Sequence, residues 1–219
     1  MKIPNRRNGE EYRNLTFTED DINKRSYMDF LGGGNAEWDQ RGLAQAIFLK
    51  KLGLMPENIL LDVGCGPGRA GRYLVNYLNK GNYCGIDYNK EFLDIFQNEI
   101  VISGLSNKNP SLCVTNIASL NVDICADYVL VFSVLNHCTK DERQDFLSAI
   151  PHKMSSNGRM YMTHCGWLNE EYDIGPDLLH TNSITDDNFR VFTCWKANEG
   201  LFPIIELRKI DPSRSPEGR

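Results

Sequence analysis

"ILLDVGCGPGRAG", Ile59 to Gly71, decides the fold. Apolar residues broken by one acid, Asp62, run into four glycines within eight positions: Gly64, Gly66, Gly68 and Gly71. A short apolar run of this kind reads as a buried strand. Glycines just after it let the backbone bend sharply and approach a ligand with no Cβ in the way. A carboxylate at the tip of a buried strand, then a turn almost bare of side chains, points to a nucleotide-like ligand.

Outward from this stretch, strands and helices alternate. Ala70, Tyr73, Leu74, Tyr77 and Leu78 recur at the spacing of an amphipathic helix that Gly81 closes. "YCGID" (83–87) is predicted as the second strand, "NKEFLDIFQNEI" (89–100) as a helix with Phe92, Phe96 and Ile100 on one face, "LCVTN" (112–116) as the third strand and "DYVLVFSV" (127–134) as the fourth. "TKDERQDFLSAI" opens with Thr139 and Glu142 in capping-box spacing and predicts another helix. "GRMYMTH" (158–164) is the fifth strand, and "RVFTCWK" (190–196) with "FPIIELRKI" (202–210) reads as a hairpin. Upstream, "WDQRGLAQAIFLKKL" (38–52) is helical in spacing and Gly53 stops it. Repeated strand–helix units imply a doubly wound, mostly parallel sheet, to which the hairpin adds antiparallel pairing.

The 219-residue chain suits one α/β domain, with a net charge of −5 that disfavours a large nucleic-acid footprint. Residues 1–37 are expected to be an arm or lid, 38–210 the domain and 211–219 a disordered tail. The opening residues carry no signal-peptide core, and no apolar run approaches a membrane span. Seven cysteines without a C-x-x-C pair imply a reduced, cytoplasmic protein and no metal site.

Asp87 stands at the tip of the second predicted strand, where a carboxylate accepts hydrogen bonds from both ribose hydroxyls of an adenosine. Two ligand classes remain, since Gly66, Gly68 and Gly71 also satisfy the dinucleotide pattern G-x-G-x-x-G. Asp62 separates them: it would attract the ammonium of an amino-acid moiety and repel a pyrophosphate. The 132 residues after Asp87 are also few for a hydride-acceptor domain, and none of the nine tyrosines has a Lys four positions on. S-adenosylmethionine is the better match.

Together "LLDVGCGPGRAG", "GIDYN", "ADYVLVFSVLNHC" and "NGRMYMTH" resemble successive motifs of the class I S-adenosylmethionine-dependent methyltransferases. The resemblance implies a Rossmann-like seven-stranded sheet whose last strand is inserted antiparallel beside the fifth. It places Asp62, Gly64, Cys65, Gly66 and Gly68 around the methionine end, Asp87 on the ribose and Tyr88 near the adenine. Asn116 and Ile117 stand where family members often carry an acid near the adenine amino group, and Phe132 and Ser133 offer backbone to the cofactor. The segment "LGGGNAEWDQRGLAQAIFLKKLGL" resembles one that precedes the glycine motif in related enzymes, with Tyr27, Trp38 and Gln45 as candidates near the methionine carboxylate.

Methyl transfer requires the nucleophile to be held in line at near-attack distance. A hydroxyl acceptor also benefits from a general base. His137, after the fourth strand, either serves as that base or packs against the bound molecules. His164 and Trp167 are acceptor-pocket candidates, along with Tyr27 and Trp38. No N-P-P-Y or D-P-P-Y tetrapeptide, the mark of nucleobase amino-methylation, follows the fourth strand. The expected activity is methyl transfer to a small-molecule acceptor, at oxygen. The rivals are an RNA- or protein-directed methyltransferase, a non-catalytic cofactor-binding module and an NAD-linked oxidoreductase. Asp87→Ala is expected to remove cofactor affinity and leave the fold intact.

Overall fold

A computed structural model describes residues 12–31, 34–163, 189–195 and 204–209. Its strands are β1 (Leu60–Val63), β2 (Tyr83–Asp87), β3 (Ser111–Val114), β4 (Ala126–Val131), β5 (Met154–Thr163), β6 (Phe189–Trp195) and β7 (Ile204–Lys209). The helices are α1 (Glu19–Asn23), α2 (Tyr27–Phe30), α3 (Asn35–Lys51), α4 (Gly71–Tyr77), α5 (Lys90–Ile102) and α6 (Lys140–Ala149). The strands form one seven-stranded sheet in the order β3-β2-β1-β4-β5-β7-β6. β1 to β5 run parallel to one another, while β7 runs antiparallel between β5 and β6.

Strand order reverses between β1 and β4, and the ends of these strands meet at the crevice where such sheets bind ligands. β1 is buried throughout. Successive side chains point to opposite faces, so Leu61 and Val63 join one core cluster and Leu60 the other. The first cluster packs α6 against the sheet through Phe146; the second packs α4 and α5 through Leu74 and Phe96. α6 carries the expected capping box, with Thr139 and Glu142 each bonding the other's backbone N–H.

Most element bounds shift by one to three residues, and two shifts stand out. α3 begins at Asn35 rather than Trp38, and β5 begins at Met154 rather than Gly158. The early part of β5 is polar and partly exposed, and Met154 pairs with Ala126 across a register irregularity, so strand periodicity is hidden there. As the resemblance implied, the last strand, β7, is inserted antiparallel beside β5, which leaves β6 as the terminal strand of the hairpin.

Residues 12–31 are docked against α5. Asn89 Nδ2 donates to the carbonyls of Tyr12 (3.1 Å) and Leu15 (2.9 Å), and Phe17 N–H donates to Glu91 (2.6 Å). Arg25 bonds both carboxylate oxygens of Glu99 at 2.9 and 2.8 Å, and the Tyr27 hydroxyl reaches the same group at 3.3 Å. Tyr27, Met28, Trp38 and Ile95 form a small buried cluster there.

Candidate active site

The glycine turn leaves β1 at Val63. Gly64 and Cys65 donate their N–H groups to the Ile86 carbonyl at 2.8 and 3.1 Å, which ties the turn to the tip of β2. Gly66 has φ of +55°, and a Cβ built there meets no atom within 4 Å, so this backbone faces open space. Gly68 differs: at φ +83° its Cβ would sit 2.1 Å from the Phe96 ring, so glycine is required for α4 to pack on α5.

Asp87 fastens the turn from the neighbouring strand. Its Oδ2 accepts the Gly66 N–H and its Oδ1 the Asn89 N–H, both at 2.9 Å. Burial raises its pKa above the ordinary 3.8, and backbone donors at Asn89, Gly66 and Tyr88 oppose the rise. An ionised carboxylate has about four lone-pair sites, so acceptor capacity remains for a diol. Tyr88 beside it is 46% exposed, with the Arg13 guanidinium 4.8 Å from its ring centroid.

Asp62 is 5% exposed and accepts a 2.7 Å bond from the Tyr83 hydroxyl. Burial pushes its pKa up to about 7; the Tyr83 bond and the charge of Arg69 act against this, and Asp87 adds to it. Arg69 is half-buried, 5.3 Å from the centroid of Trp38. Sequence reasoning missed Arg69, because an arginine after a glycine turn carries no signal until Trp38, far upstream, is placed beneath it. Cys65 is buried and its thiol pKa is driven up by burial, so it acts as an apolar filler under the turn.

At the tip of β4, Ser133 has φ of +62°, uncommon for a residue with a side chain, and donates its N–H to Thr163 Oγ1 at 2.8 Å. Phe132 is buried in the second core cluster. His137 ends a short 3-10 turn, Leu135–His137, with Nε2 3.2 Å from Asn136 Nδ2. Its ring centroid lies 4.3 Å from that of Tyr12. The next residue, Arg13, pairs with Glu142 and stacks on Tyr88, so residues 12–15 bridge the tips of β4 and β2.

The other expected residues are distributed as follows. Asn116 is half-buried and turns its Oδ1 onto the Ala118 N–H (2.9 Å), and Ile117 is buried beside it. Tyr27, Trp38 and Gln45 are 1%, 3% and 6% exposed; Tyr27 bonds Glu99 and lies among core residues, while Trp38 reaches the site through Arg69. His164 and Trp167 lie outside the described residues. Among the described residues no three His, Cys, Asp or Glu side chains group as metal ligands, and no helix is long and apolar enough to cross a membrane.

The fit to a sulfonium nucleoside is good: open backbone at Gly66, spare acceptor capacity at Asp87, an exposed ring at Tyr88 and a buried acid at Asp62 all border one crevice. This sheet order with a site at the β1/β2/β4 tips defines the class I methyltransferase fold. Residues 60–158 match the family described as "Methyltransferase domain". In structure, the chain is similar to magnesium protoporphyrin IX methyltransferase from Synechocystis PCC 6803, crystallised with bound S-adenosylmethionine. That match has 17% identity and a TM-score of 0.66, covering 94% of this chain and 99% of the other. The ribosomal protein L11 methylase of Lactobacillus delbrueckii subsp. bulgaricus aligns with a TM-score of 0.57 and 13% identity over 81% of each chain. In sequence, EEF1A lysine methyltransferase 2 of Danio rerio is 26% identical over 154 residues, 67% of this chain. The chain spans 65% of the length of that relative. The family match spans residues 60–158, and the fold is the one these methyltransferases of known structure share.

Proposed function

We propose that this chain transfers a methyl group to the oxygen of a small-molecule acceptor. The observation that carries the reading is the covered site: residues 12–15 cross from His137 to Tyr88, with the Tyr12 ring tilted against His137 and Asn89 holding two arm carbonyls. A roofed crevice favours an acceptor small enough to be enclosed over one presented on a macromolecular surface. In this reading residues 1–37 are the lid of the domain that follows, and the net charge of −5 is in keeping with a partner other than nucleic acid.

S-adenosylmethionine, when bound, supplies an electrophilic methyl on a good leaving group. Asp87 accepts the ribose hydroxyls, and Tyr88 with Asn116 and Ile117 borders the adenine. Asp62 and the backbone of Gly64, Cys65, Gly66 and Gly68 surround the amino-acid end, while Phe132 and Ser133 present backbone from β4. His137 orients the acceptor hydroxyl and takes its proton, worth about 10²–10⁴-fold in such roles. His164 and Trp167 are assigned to the acceptor side, while Tyr27 and Trp38 are core residues.

A protein amine is the second reading, favoured by the lysine methyltransferase among the relatives. The test is to incubate the chain with methyl-labelled cofactor and a whole extract, then separate metabolites, RNA and protein. Label in the metabolite fraction, reduced about 10²-fold or more by His137→Ala with S-adenosylhomocysteine binding unchanged, is the expected result. Label confined to protein or RNA would overturn the small-molecule reading.

A further inference from the structure

Arg143, on α6, is a charged side chain buried to 6% exposure that the reaction described above does not use. Burying a guanidinium is costly unless its N–H groups are well spent. Here Nη1 donates to two backbone carbonyls, those of Cys138 (2.6 Å) and Leu135 (3.4 Å). These carbonyls stand on either side of Asn136 and His137 in the chain. A single nitrogen therefore brackets the segment that carries the candidate base.

That segment has little stiffness of its own. A three-residue 3-10 turn makes few internal bonds, of poorer geometry than those of an α-helix. Its own bonds run from His137 N–H to the Val134 carbonyl (2.9 Å) and from Cys138 N–H to the Leu135 carbonyl (3.2 Å). α6 is a firmer support. The Thr139–Glu142 capping box fixes its start, and Phe146, fully buried in the first core cluster, sits three residues from Arg143 and so on the same face. The helix is anchored in the core by Phe146 and reaches back to the turn through Arg143. Such precision matters to a proton acceptor, since misplacement by about 1 Å can cost roughly 10²-fold in rate.

We propose that Arg143 is a positioning residue for the methyl transfer: by holding the Leu135 and Cys138 carbonyls it fixes the turn, and with it the imidazole of His137, against the acceptor. Arg143 acts through the turn and not on the reacting atoms. This rests on the base role given to His137 above and adds a residue of α6 to the site.

The test is a double-mutant cycle in the full chain, with Arg143 varied in the wild type and in His137→Ala. The rate of label transfer from methyl-labelled S-adenosylmethionine into the metabolites of a whole extract is read beside S-adenosylhomocysteine affinity. Arg143→Met is expected to slow transfer about 10- to 100-fold with S-adenosylhomocysteine affinity at the wild-type value. Arg143→Lys, whose ammonium still reaches one carbonyl, recovers part of the rate and serves in its place if the methionine variant does not fold. In His137→Ala neither substitution slows transfer further, because the ring being positioned is gone. Slowing by the same factor in both backgrounds would overturn the proposal, as the mark of a general structural role, and so would a wild-type rate in Arg143→Met. An unaltered rate in His137→Ala refutes the base reading, and this proposal with it. The ring resonances of His137, identified by their loss in His137→Ala, give a readout independent of turnover. They should shift or broaden in Arg143→Met and partly recover in Arg143→Lys; a spectrum identical to wild type in both would overturn the proposal. A wild type that labels no metabolite refutes the small-molecule reading, and the positioning role then stands or falls on that spectrum.

Discussion

Asp87→Asn is the most informative single change, because the carboxylate has two tasks. Each of its oxygens accepts one backbone N–H, from Gly66 in the turn and from Asn89 ahead of α5. An amide keeps one oxygen and points an NH₂ group at the other donor. One bond is lost and one buried N–H left without an acceptor, at about 1–3 kcal/mol. Relief of a buried charge, evident in the upward pKa shift, offsets part of this. A net loss of about 1–2 kcal/mol lowers Tm by roughly 2–8 °C in a chain of this size. The ribose loses a charged acceptor as well, worth about 1.5–3 kcal/mol, or roughly 10- to 100-fold in Kd for S-adenosylhomocysteine. Thermal unfolding without ligand and calorimetric titration with it separate the two tasks. Unaltered affinity would remove the ribose assignment; an unaltered or raised Tm would remove the structural one. Alanine at this position leaves both donors unmatched, so Asp87→Ala is expected to lower Tm further than Asp87→Asn.

Three further outcomes follow from named contacts. Asp62 has a folded pKa of about 7 against an ordinary 3.8, so the native state binds more protons between those values and stability falls as pH rises through that window. Asp62→Asn should flatten this part of a Tm–pH curve, and an ammonium arriving beside Asp62 should expel about half a proton near pH 7, read by titration in buffers of different ionisation enthalpy. No proton release and an unflattened curve would contradict the assignment. Thr163→Val keeps the shape but removes the acceptor of the Ser133 N–H, which should cost about 1–3 kcal/mol in denaturant unfolding; a neutral result would mean that the β4 tip is held by other contacts. Gly68→Ala puts a Cβ 2.1 Å from the Phe96 ring at φ +83°, and a loss of about 2–4 kcal/mol is expected from overpacking and backbone strain together. Wild-type stability there would mean that α4 and α5 separate freely.

Much of this was legible in sequence for a specific reason. β1, β2 and β4 are buried strands ending at the ligand crevice, so hydrophobic runs, glycines and Asp87 fall within a few residues of one another. "YCGID" matches β2 residue for residue. Contacts between distant segments were not legible. Residues 1–37 read as an arm, but the docking of its described part depends on Asn89, Glu91 and Glu99, all on the α5 side. Arg69 gained meaning only once α3 brought Trp38 beneath it. Tyr27 and Trp38 read as pocket aromatics, and burial at 1% and 3% exposure instead gives them core packing. The resemblance singled out Ser133, but its positive φ leaves no trace in composition.

The threading of β7 between β5 and β6 bears on how the chain is made. β6 precedes β7 in sequence but, among the described residues, finds its ladder partner in β7, so it cannot be placed until Lys209 has left the ribosome. Until then β5, carrying Met160, Tyr161 and Met162, is the outermost strand of a half-built sheet, open to pairing with other nascent chains. The first five strands can assemble during synthesis, whereas closure of the sheet awaits translation of Ile204–Lys209.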